Sequence, residues 1–246
     1  MNWLRRFLIV VGLLMLGPLA MAAGEESRLK ADWRTATRQS AGLAPPAAST
    51  HEAVVQVYAA RAFSWRGVFA VHTWISLKPE GATEYTTYEV MGWHVFHGGD
   101  ALQVHNNGPD RYWFGAKPEV LAEVRGKEAV QAIINIKSAV AAYPWPDSYR
   151  TWPGPNSNTF TAFVTRRVPA LKVDLPPTAI GKDYIGDTTI VGAPPSGRGG
   201  QLSLWGLAGV LVSPEEGIEF NLLGLSFGIN PLKLTLRLPG IGVLRP

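Results

Sequence analysis

The sequence contains no cysteine among its 246 residues. This absence excludes disulfides, thiolate metal sites and a cysteine nucleophile, so the folded chain must be stabilised by its buried core alone. A large excess of one charge is also missing, because the net charge is only +4 and two of the cations lie in the amino-terminal segment. We therefore expect no nucleic-acid partner, since such proteins carry a strongly basic face or stripe. Apolar sequence, in contrast, is abundant, and a hydrophobic share of 46% is typical of a globular protein.

The first 22 residues are ordered like an export signal. Arg5 and Arg6 are followed by an almost unbroken apolar run over residues 7–16, and small side chains flank Met21. This order predicts a signal peptide that is cleaved after Ala22, and hence a periplasmic or otherwise extracytoplasmic protein. The alternative is an uncleaved segment that anchors the protein in the inner membrane, although the apolar run is shorter than the roughly 20 residues of a spanning helix.

Composition divides the rest of the chain into three parts. Residues 23–50 are polar and rich in alanine and proline, which predicts a flexible amino-terminal segment. Residues 51–177 combine β-branched and aromatic runs with helical periodicity, which predicts an α+β domain with an antiparallel sheet. Residues 178–246 are rich in glycine and short aliphatic runs, which predicts a β-rich carboxy-terminal extension packed on that domain.

Hydrophobic periodicity places the elements of the α+β domain. Alternating and β-branched runs predict a meander of antiparallel strands, at Val54–Tyr58, Gly67–Leu77, Tyr85–Val95 and Ala101–His105. Two apolar stripes over Pro118–Tyr143 predict two consecutive helices. Ser157 or Asn158 is expected to cap a further helix, which runs to Val168 and is ended by Pro169.

The carboxy-terminal extension is unusually apolar for the end of a chain. Leu202–Val212 and Ile218–Phe227 flank a Ser-Pro-Glu-Glu-Gly turn and predict a β-hairpin, to which Leu232–Leu238 adds a strand. The apolar residues of this ending either cover the sheet or touch a membrane surface as a peripheral contact.

Four of the five histidines lie in the region of predicted strands, namely His72, His94, His97 and His105. His94 and His97 would point to opposite faces of one regular strand because their spacing is odd. No carboxylate stands at a familiar zinc spacing either. We therefore predict no metal and no cofactor.

Ser157 is a second candidate feature, at the junction between a Gly-Pro-Asn loop and a predicted helix. A helix start offers free backbone N–H groups and a positive dipole end, which stabilise an oxyanion that forms in acyl transfer. The alternative is an ordinary helix cap without catalytic meaning, because serine and asparagine are common at such positions.

The segments Val71–Ile75 and Asn156–Phe160 resemble, in order and context, the circularly permuted papain-like proteins. That group includes relatives of lecithin:retinol acyltransferase and permuted relatives of cell-wall peptidases, in which a strand histidine precedes an Asn-Cys-x-x-Phe helix start. The resemblance implies a permuted papain-like fold in which Ser157 occupies the position of the cysteine nucleophile.

The change from cysteine to serine matters because a hydroxyl needs a positioned base before it can act as a nucleophile. The resemblance assigns that role to His72. It assigns the orientation of His72 to His94, with His97 as the alternative.

Residues 50–243 also resemble an uncharacterised bacterial family of exported proteins that is catalogued only as a domain of unknown function. The resemblance is carried by Gly92-Trp93-His94, by the Pro-Asn-Ser-Asn-Thr-Phe segment at 155–160 and by the apolar ending from Leu223 to Gly240. It implies an extracytoplasmic setting and supplies no known activity.

Together these features predict a hydrolase or acyltransferase that acts on an amide or ester bond of a cell-wall peptide or lipid. Asn156 and Asn158 are candidates to bind an oxyanion or amide, and Trp74, Trp93 and Trp152 are candidates to bind a sugar or acyl chain. The alternative is a non-catalytic envelope-binding module with an aromatic-lined cleft. A third hypothesis is a structural envelope protein that docks by its apolar carboxy-terminal segment. No feature of the sequence predicts the oligomeric state.

Overall fold

The computed structural model describes residues 3–24 and 32–246. In this part of the chain, helices combine with two antiparallel sheets, which confirms the predicted α+β class with a β-rich carboxy-terminal part. The helices are α1 (Trp3–Leu14), α2 (Leu16–Gly24), α3 (Arg66–Phe69), α4 (Gly92–Val95), α5 (Gly126–Ala141) and α6 (Ser157–Arg167). The strands are β1 (Val54–Arg61), β2 (Val71–Lys78), β3 (Thr86–Val90), β4 (Leu102–His105), β5 (Glu119–Arg125), β6 (Val191–Gly192), β7 (Gly200–Leu204), β8 (Ala208–Ser213), β9 (Gly217–Leu222), β10 (Leu225–Asn230), β11 (Thr235–Leu238) and β12 (Gly242–Leu244). Residues 25–31, which belong to the predicted flexible segment, lie outside the described residues.

The first sheet has five strands in the order β4-β3-β2-β1-β5, and every neighbouring pair is antiparallel. The central strands β1 and β2 are buried along both faces. Because successive side chains of a strand point to opposite faces, each central strand contributes to two layers. Val57 and Ile75 belong to the layer under the helices, while Tyr58 and Trp74 belong to the layer on the other face.

The helices α5 and α6 cover one face of this sheet. Ile136 of α5 and Phe160 of α6 are fully buried in the same apolar cluster as Val57 and Ile75. Full burial of an aliphatic or aromatic side chain stabilises a fold by about 1.5–3 kcal/mol. The helix–sheet layer is therefore the main core of the protein.

The segment 118–143, predicted as two helices, forms strand β5 followed by helix α5. The β5 sequence Glu-Val-Leu-Ala-Glu-Val-Arg has an apolar spacing that fits one side of a helix as well as a strand. Pairing with β1 decides the outcome, since Val55 and Val57 align with Val124 and Ala122. The predicted first helix was wrong because tertiary pairing outweighs a weak local preference.

The other face of the first sheet is covered by chain that Asp110 holds in place. The buried Asp110 carboxylate accepts hydrogen bonds from Ser40 Oγ (2.8 Å) and from the backbone N–H groups of Leu43 and Ala44. The later part of the predicted flexible segment therefore lies against the domain.

The second sheet is a seven-stranded meander that runs from β6 to β12 in sequence order. The predicted strands Leu202–Val212 and Ile218–Phe227 each fold back into a hairpin instead of forming one long strand. In the second of these hairpins Leu223 and Gly224 both have positive φ (55° and 82°), which suits the two-residue turn between paired strands. The alternating pattern alone did not show these turns.

The second sheet has an inverted polarity. Most of its inward side chains are polar, and Glu219, Asn221 and Arg237 are all buried, although Leu211 lies among them. Their outward neighbours are apolar, as in Phe220 and Leu236, which are exposed. The usual arrangement for a half-buried sheet is the reverse, with apolar side chains facing the core.

Buried charges attach this sheet to the rest of the protein. Arg237 donates to Glu219 (Nε–Oε2, 2.6 Å), to Asp174 (Nη1–Oδ1, 2.7 Å) and to the Leu175 carbonyl (2.6 Å). Lys182 binds the other oxygen of Glu219. Burial opposes the charge on Glu219, but the adjacent Lys182 and Arg237 outweigh it and hold the carboxyl pKa below its ordinary value. Charged side chains on the inner face of the sheet thus pair with opposite charges on the segment before it, which contains Asp174 and Lys182.

One helical segment among the described residues, Trp3–Gly24, is long and apolar enough to cross a membrane. It is compatible with either the predicted signal peptide or the alternative anchor. Its second half packs closely on the turn between β11 and β12. A Cβ on Gly17 would lie 2.1 Å from the Pro239 carbonyl oxygen, and one on Gly240 would lie 2.5 Å from the Pro18 nitrogen. Only glycine permits this approach.

We predict that Glu219→Gln lowers the free energy of unfolding by about 3–5 kcal/mol, because it leaves two buried cations without their shared carboxylate. Urea unfolding followed by circular dichroism measures the change. The matched control is Glu80→Gln, whose ion pair with His51 is exposed at both ends and should contribute less than about 1 kcal/mol. Equal effects of the two substitutions would contradict the role assigned to Glu219.

Candidate functional site

His72 and Ser157 lie on opposite sides of the first sheet, since Ser157 belongs to α6 and the His72 side chain points away from that helix. Thr73, the neighbour of His72, faces the helices, where its hydroxyl donates to Asn158 Oδ1 (3.0 Å) and lies 3.3 Å from the Ser157 carbonyl oxygen. Because side chains alternate along a strand, His72 points to the other face, and its ring stacks on Trp113 with centroids 3.6 Å apart. Within the described part of the chain no hydrogen bond joins the Ser157 hydroxyl to His72. The structure does not bring the predicted nucleophile and base together.

Glu89 of β3 is the centre of a charged cluster on the face of β2 that carries His72. Its Oε2 accepts a hydrogen bond from His72 Nε2 (2.8 Å), and its Oε1 binds His105 Nε2 and Arg111 Nη2. Pairing of β3 with β4 brings His105 beside Glu89, and the loop after β4 supplies Arg111. The residue that orients His72 in the structure is Glu89, whereas the resemblance implied His94 or His97.

Burial and pairing fix the protonation states of this cluster. Burial alone would raise the pKa of Glu89, but hydrogen bonds from His105 and His72 and the charge of Arg111 hold it well below its ordinary value of 4.5. Burial lowers the pKa of His72 below its ordinary value of 6.5, and this effect exceeds the opposite effect of Glu89. Near neutral pH, Glu89 is therefore ionised, while His72 is neutral and donates from Nε2.

A cavity of about 180 Å³ adjoins the cluster, and Glu89, His105 and Arg111 form part of its wall. The aromatic part of the wall is built from Trp93, which stacks on Trp113 (5.7 Å between centroids) and meets Phe114 edge-on (5.8 Å). The guanidinium of Arg38 lies 4.3 Å from the centroid of the Phe114 ring. The remaining lining residues are Met91, Asn107 and Tyr112. The pocket thus combines apolar rings with a fixed set of charges.

The amino end of α6 is a packed structural junction. The helix begins at Ser157, as predicted, but its N-cap is Asn156 and not the predicted Ser157 or Asn158. Asn156 caps it, since its Oδ1 accepts from the backbone N–H groups of Asn158 (2.9 Å) and Thr159 (3.1 Å) while its Nδ2 donates to two backbone carbonyls. Asn158 Nδ2 also donates to two backbone carbonyls, at 2.9 and 2.8 Å. The polar atoms of both asparagines are engaged inside the protein.

Over residues 52–184 the chain matches the family described as "Protein of unknown function (DUF3750)". This match covers more than half of the chain. The chain belongs to the DUF3750 family. No curated protein and no solved structure matches the chain. The DUF3750 match contains the first sheet, the Glu89 cluster and α6, and it ends before the second sheet begins.

The other predicted site residues of this DUF3750 protein are dispersed. His94 lies in α4, and His97 Nδ1 bonds the carbonyl of Trp93 (2.7 Å). Trp74 is fully buried and donates to a backbone carbonyl (2.7 Å), while Trp152 donates to a carbonyl of the second sheet (3.0 Å). Of the three tryptophans predicted to bind substrate, Trp93 alone lines the pocket. Among residues 3–24 and 32–246, no group of three or more histidine, aspartate or glutamate side chains is arranged to hold a metal ion.

Sequence reasoning missed Glu89 and Arg111. A glutamate between Tyr88 and Val90 in a predicted apolar strand is itself a signal, because an unpaired carboxylate is very costly to bury. Its partners could not be identified in the same way, since His105 and Arg111 lie 16 and 22 residues further along the chain. Strand pairing and the following loop bring them back to Glu89.

A larger cavity of about 290 Å³ lies elsewhere, beside β1, β5 and β12. Two of its charged residues are already engaged in the fold, because Arg61 donates to the Gly240 carbonyl and Asp174 accepts from Arg237. The smaller pocket brings aromatic rings and paired charges together, so we take it as the candidate binding site of the DUF3750 domain.

We predict that the free energy of unfolding decreases as the pH falls below about 6.5, in part because of His72. In that range unfolded His72 gains a proton while folded His72 stays neutral, so the unfolded state binds more protons and acid favours it. In His72→Gln this contribution should be lost, since glutamine keeps a donor for Glu89 but does not titrate.

Urea unfolding followed by tryptophan fluorescence, at steps between about pH 5 and 8, measures the pH dependence. The matched control is His51→Gln, at an exposed position, which should keep the His72 contribution. An unchanged slope in His72→Gln would show that His72 does not titrate as its burial requires.

Proposed function

We propose that this protein is a non-catalytic binding module of the cell envelope, and that its pocket takes an acidic sugar of the cell wall. The observation that carries the proposal is Trp93, a large ring that is 41% exposed at a pocket that Glu89 and Arg111 also line. A ring of this kind offers a large apolar contact surface beside polar partners, which is the usual composition of a small-molecule site.

The size of the pocket suits one sugar ring. Its volume of about 180 Å³ is below the roughly 300–1,000 Å³ of sites for drug-sized ligands. One face of a pyranose ring is apolar and packs on an indole, while the hydroxyl groups at its edge need hydrogen-bond partners. Trp93 supplies the first kind of contact, and the charged side of the pocket supplies the second.

The charge of the pocket favours an acidic ligand. Arg38 and Arg111 provide two cations, whereas Glu89 provides one anion. A guanidinium group binds carboxylates with paired hydrogen bonds, which gives both strength and orientation. Nη1 of Arg111 is buried and has no hydrogen-bond partner among the described residues, so an acidic group that reached it would satisfy an unpaired donor.

The pocket wall offers little for catalysis. His105 uses both ring nitrogens, because Nε2 bonds Glu89 and Nδ1 accepts from the Asn107 N–H (3.2 Å). Glu89 already binds three groups, and the described wall contains no serine or threonine. Ser157 is 5% exposed and lies on the other face of the sheet. Hydrolysis or acyl transfer by Ser157 stays a prediction, and the geometry favours binding.

We predict that N-acetylmuramic acid and muropeptides bind the protein and that Trp93→Ala weakens this binding about tenfold or more, which corresponds to about 1.4 kcal/mol. The reason is the loss of the ring face on which the sugar packs. Isothermal titration calorimetry measures the affinities. The matched protein control is Trp65→Ala, which removes a tryptophan that is 57% exposed outside the pocket and should leave binding unchanged.

The matched ligand control is N-acetylglucosamine, which has the same ring without the lactyl carboxylate. It should bind more weakly than N-acetylmuramic acid, because it cannot pair with the arginines. Equal affinity for the two sugars, or full binding by Trp93→Ala, would contradict the proposed site.

We predict that Ser157→Ala leaves this binding unchanged, and that neither the variant nor the wild type cleaves envelope peptides or esters. Mass spectrometry of purified cell-wall and lipid fragments after incubation detects turnover, and thermal unfolding shows whether both proteins are folded. Turnover by the wild type that Ser157→Ala abolishes would replace the binding module with the serine hydrolase or acyltransferase hypothesis.

A further inference from the structure

The outer face of the second sheet is apolar from one edge to the other. Strand register aligns Leu202, Val210, Phe220 and Phe227 in one row across β7 to β10. A second row crosses β8 to β12 through Val212, Ile218, Ile229, Leu236 and Leu244. Every outward position of these strands is aliphatic, aromatic or glycine, so the face contains no charged side chain. A continuous apolar face of this kind marks an interaction surface.

The fold does not allow this face to turn inward. A shift of one residue in register would exchange the two faces, and it would bring Glu219 and Arg237 out of their buried pairs. The buried polar face thus specifies that the apolar face is the outer one. Its exposure is a built feature of the sheet.

The surroundings of the face indicate what covers it. The apolar segment Trp3–Gly24, which is long enough to span a bilayer, packs at the β11–β12 turn through Gly17 and Pro18. The β7–β8 and β9–β10 turns lie at the same end of the sheet, because consecutive strands alternate in direction. Trp205 is in the first of these turns, and Trp152 donates to the Leu223 carbonyl in the second. Both tryptophans are about half exposed.

Tryptophan is enriched where a protein meets the boundary between membrane and water, since one end of the ring system is apolar and the other is polar. We infer that the outer face of the second sheet lies on the lipid bilayer that the amino-terminal helix enters. Because the helix packs at the β11–β12 turn, it brings the sheet close to the membrane surface, and the two rows of apolar side chains contact the lipid.

The contact is shallow and does not span the membrane. The edge strands β6 and β12 each pair on one side only, so their free backbone groups could not be satisfied in the hydrocarbon core. An apolar face of this type rests at the boundary of headgroups and acyl chains, at a depth of about 5–10 Å.

The absence of cysteine permits a direct test, because a single introduced cysteine carries the only label. The full chain is made by cell-free synthesis, so that the amino-terminal helix is not cleaved off. It is then reconstituted into vesicles of phosphatidylethanolamine and phosphatidylglycerol. A bimane label is attached in Leu202→Cys and in Ile229→Cys, which are 53% and 52% exposed on the outer face. The matched control is Ser138→Cys, an exposed position on α5.

Two quenchers distinguish the surroundings of each label, and circular dichroism verifies that the variants are folded. We expect lipids brominated on the acyl chain to quench the labels at 202 and 229, and iodide in the water to quench them several-fold less than the label at 138. Iodide quenching at 202 and 229 equal to that at 138 would overturn the inference. Protection from both quenchers, with cross-links between two copies of the chain, would also overturn it, since a second copy would then cover the face.

Discussion

The arrangement of the whole protein depends on one buried carboxylate, that of Glu219. It lies between Lys182, which precedes the second sheet, and Arg237, which belongs to it. An ionised group at this depth is tolerated only with its partners, and Glu219 is the carboxylate that Lys182 and Arg237 share, although Asp183 and Asp174 each pair with one of these cations as well. The second sheet must therefore present its polar face to the domain. Its apolar side chains are left on the outside as a direct consequence.

Glu89 plays a comparable part in the first sheet. It binds His72, His105 and Arg111 at once, so three side chains from different elements are fixed before any ligand arrives. Because these side chains are already ordered, they lose little conformational entropy when a ligand binds, and this favours affinity in a small pocket. The two carboxylates thus hold the side chains beside the pocket and those under the second sheet in place without a disulfide.

The features that could be predicted from the sequence are those that depend on neighbouring residues in the chain. The α+β class follows from apolar periodicity, and the start of α6 follows from a polar cap after a proline-rich loop. The partners of His72 and the strand character of β5 could not be predicted, because they depend on contacts between distant residues. The pair Ser157 and His72 shows the difference most clearly. One step along β2 decides that Thr73 faces α6 and His72 does not, and no local pattern contains that choice.

The hydrogen bonds between Asp110 and residues 40–44 determine how much of the sequence must be inherited together for the pocket to form. Asp110 lies in the same loop as Arg111, Trp113 and Phe114, and the chain that it binds lies before residue 52, where the family match starts. A recombination event that joined new sequence at that border would carry the sheet and Glu89 but not the chain held by Asp110. A fusion that keeps a complete pocket must therefore join upstream of Arg38, which also lines the pocket, so the working unit is longer than the shared domain.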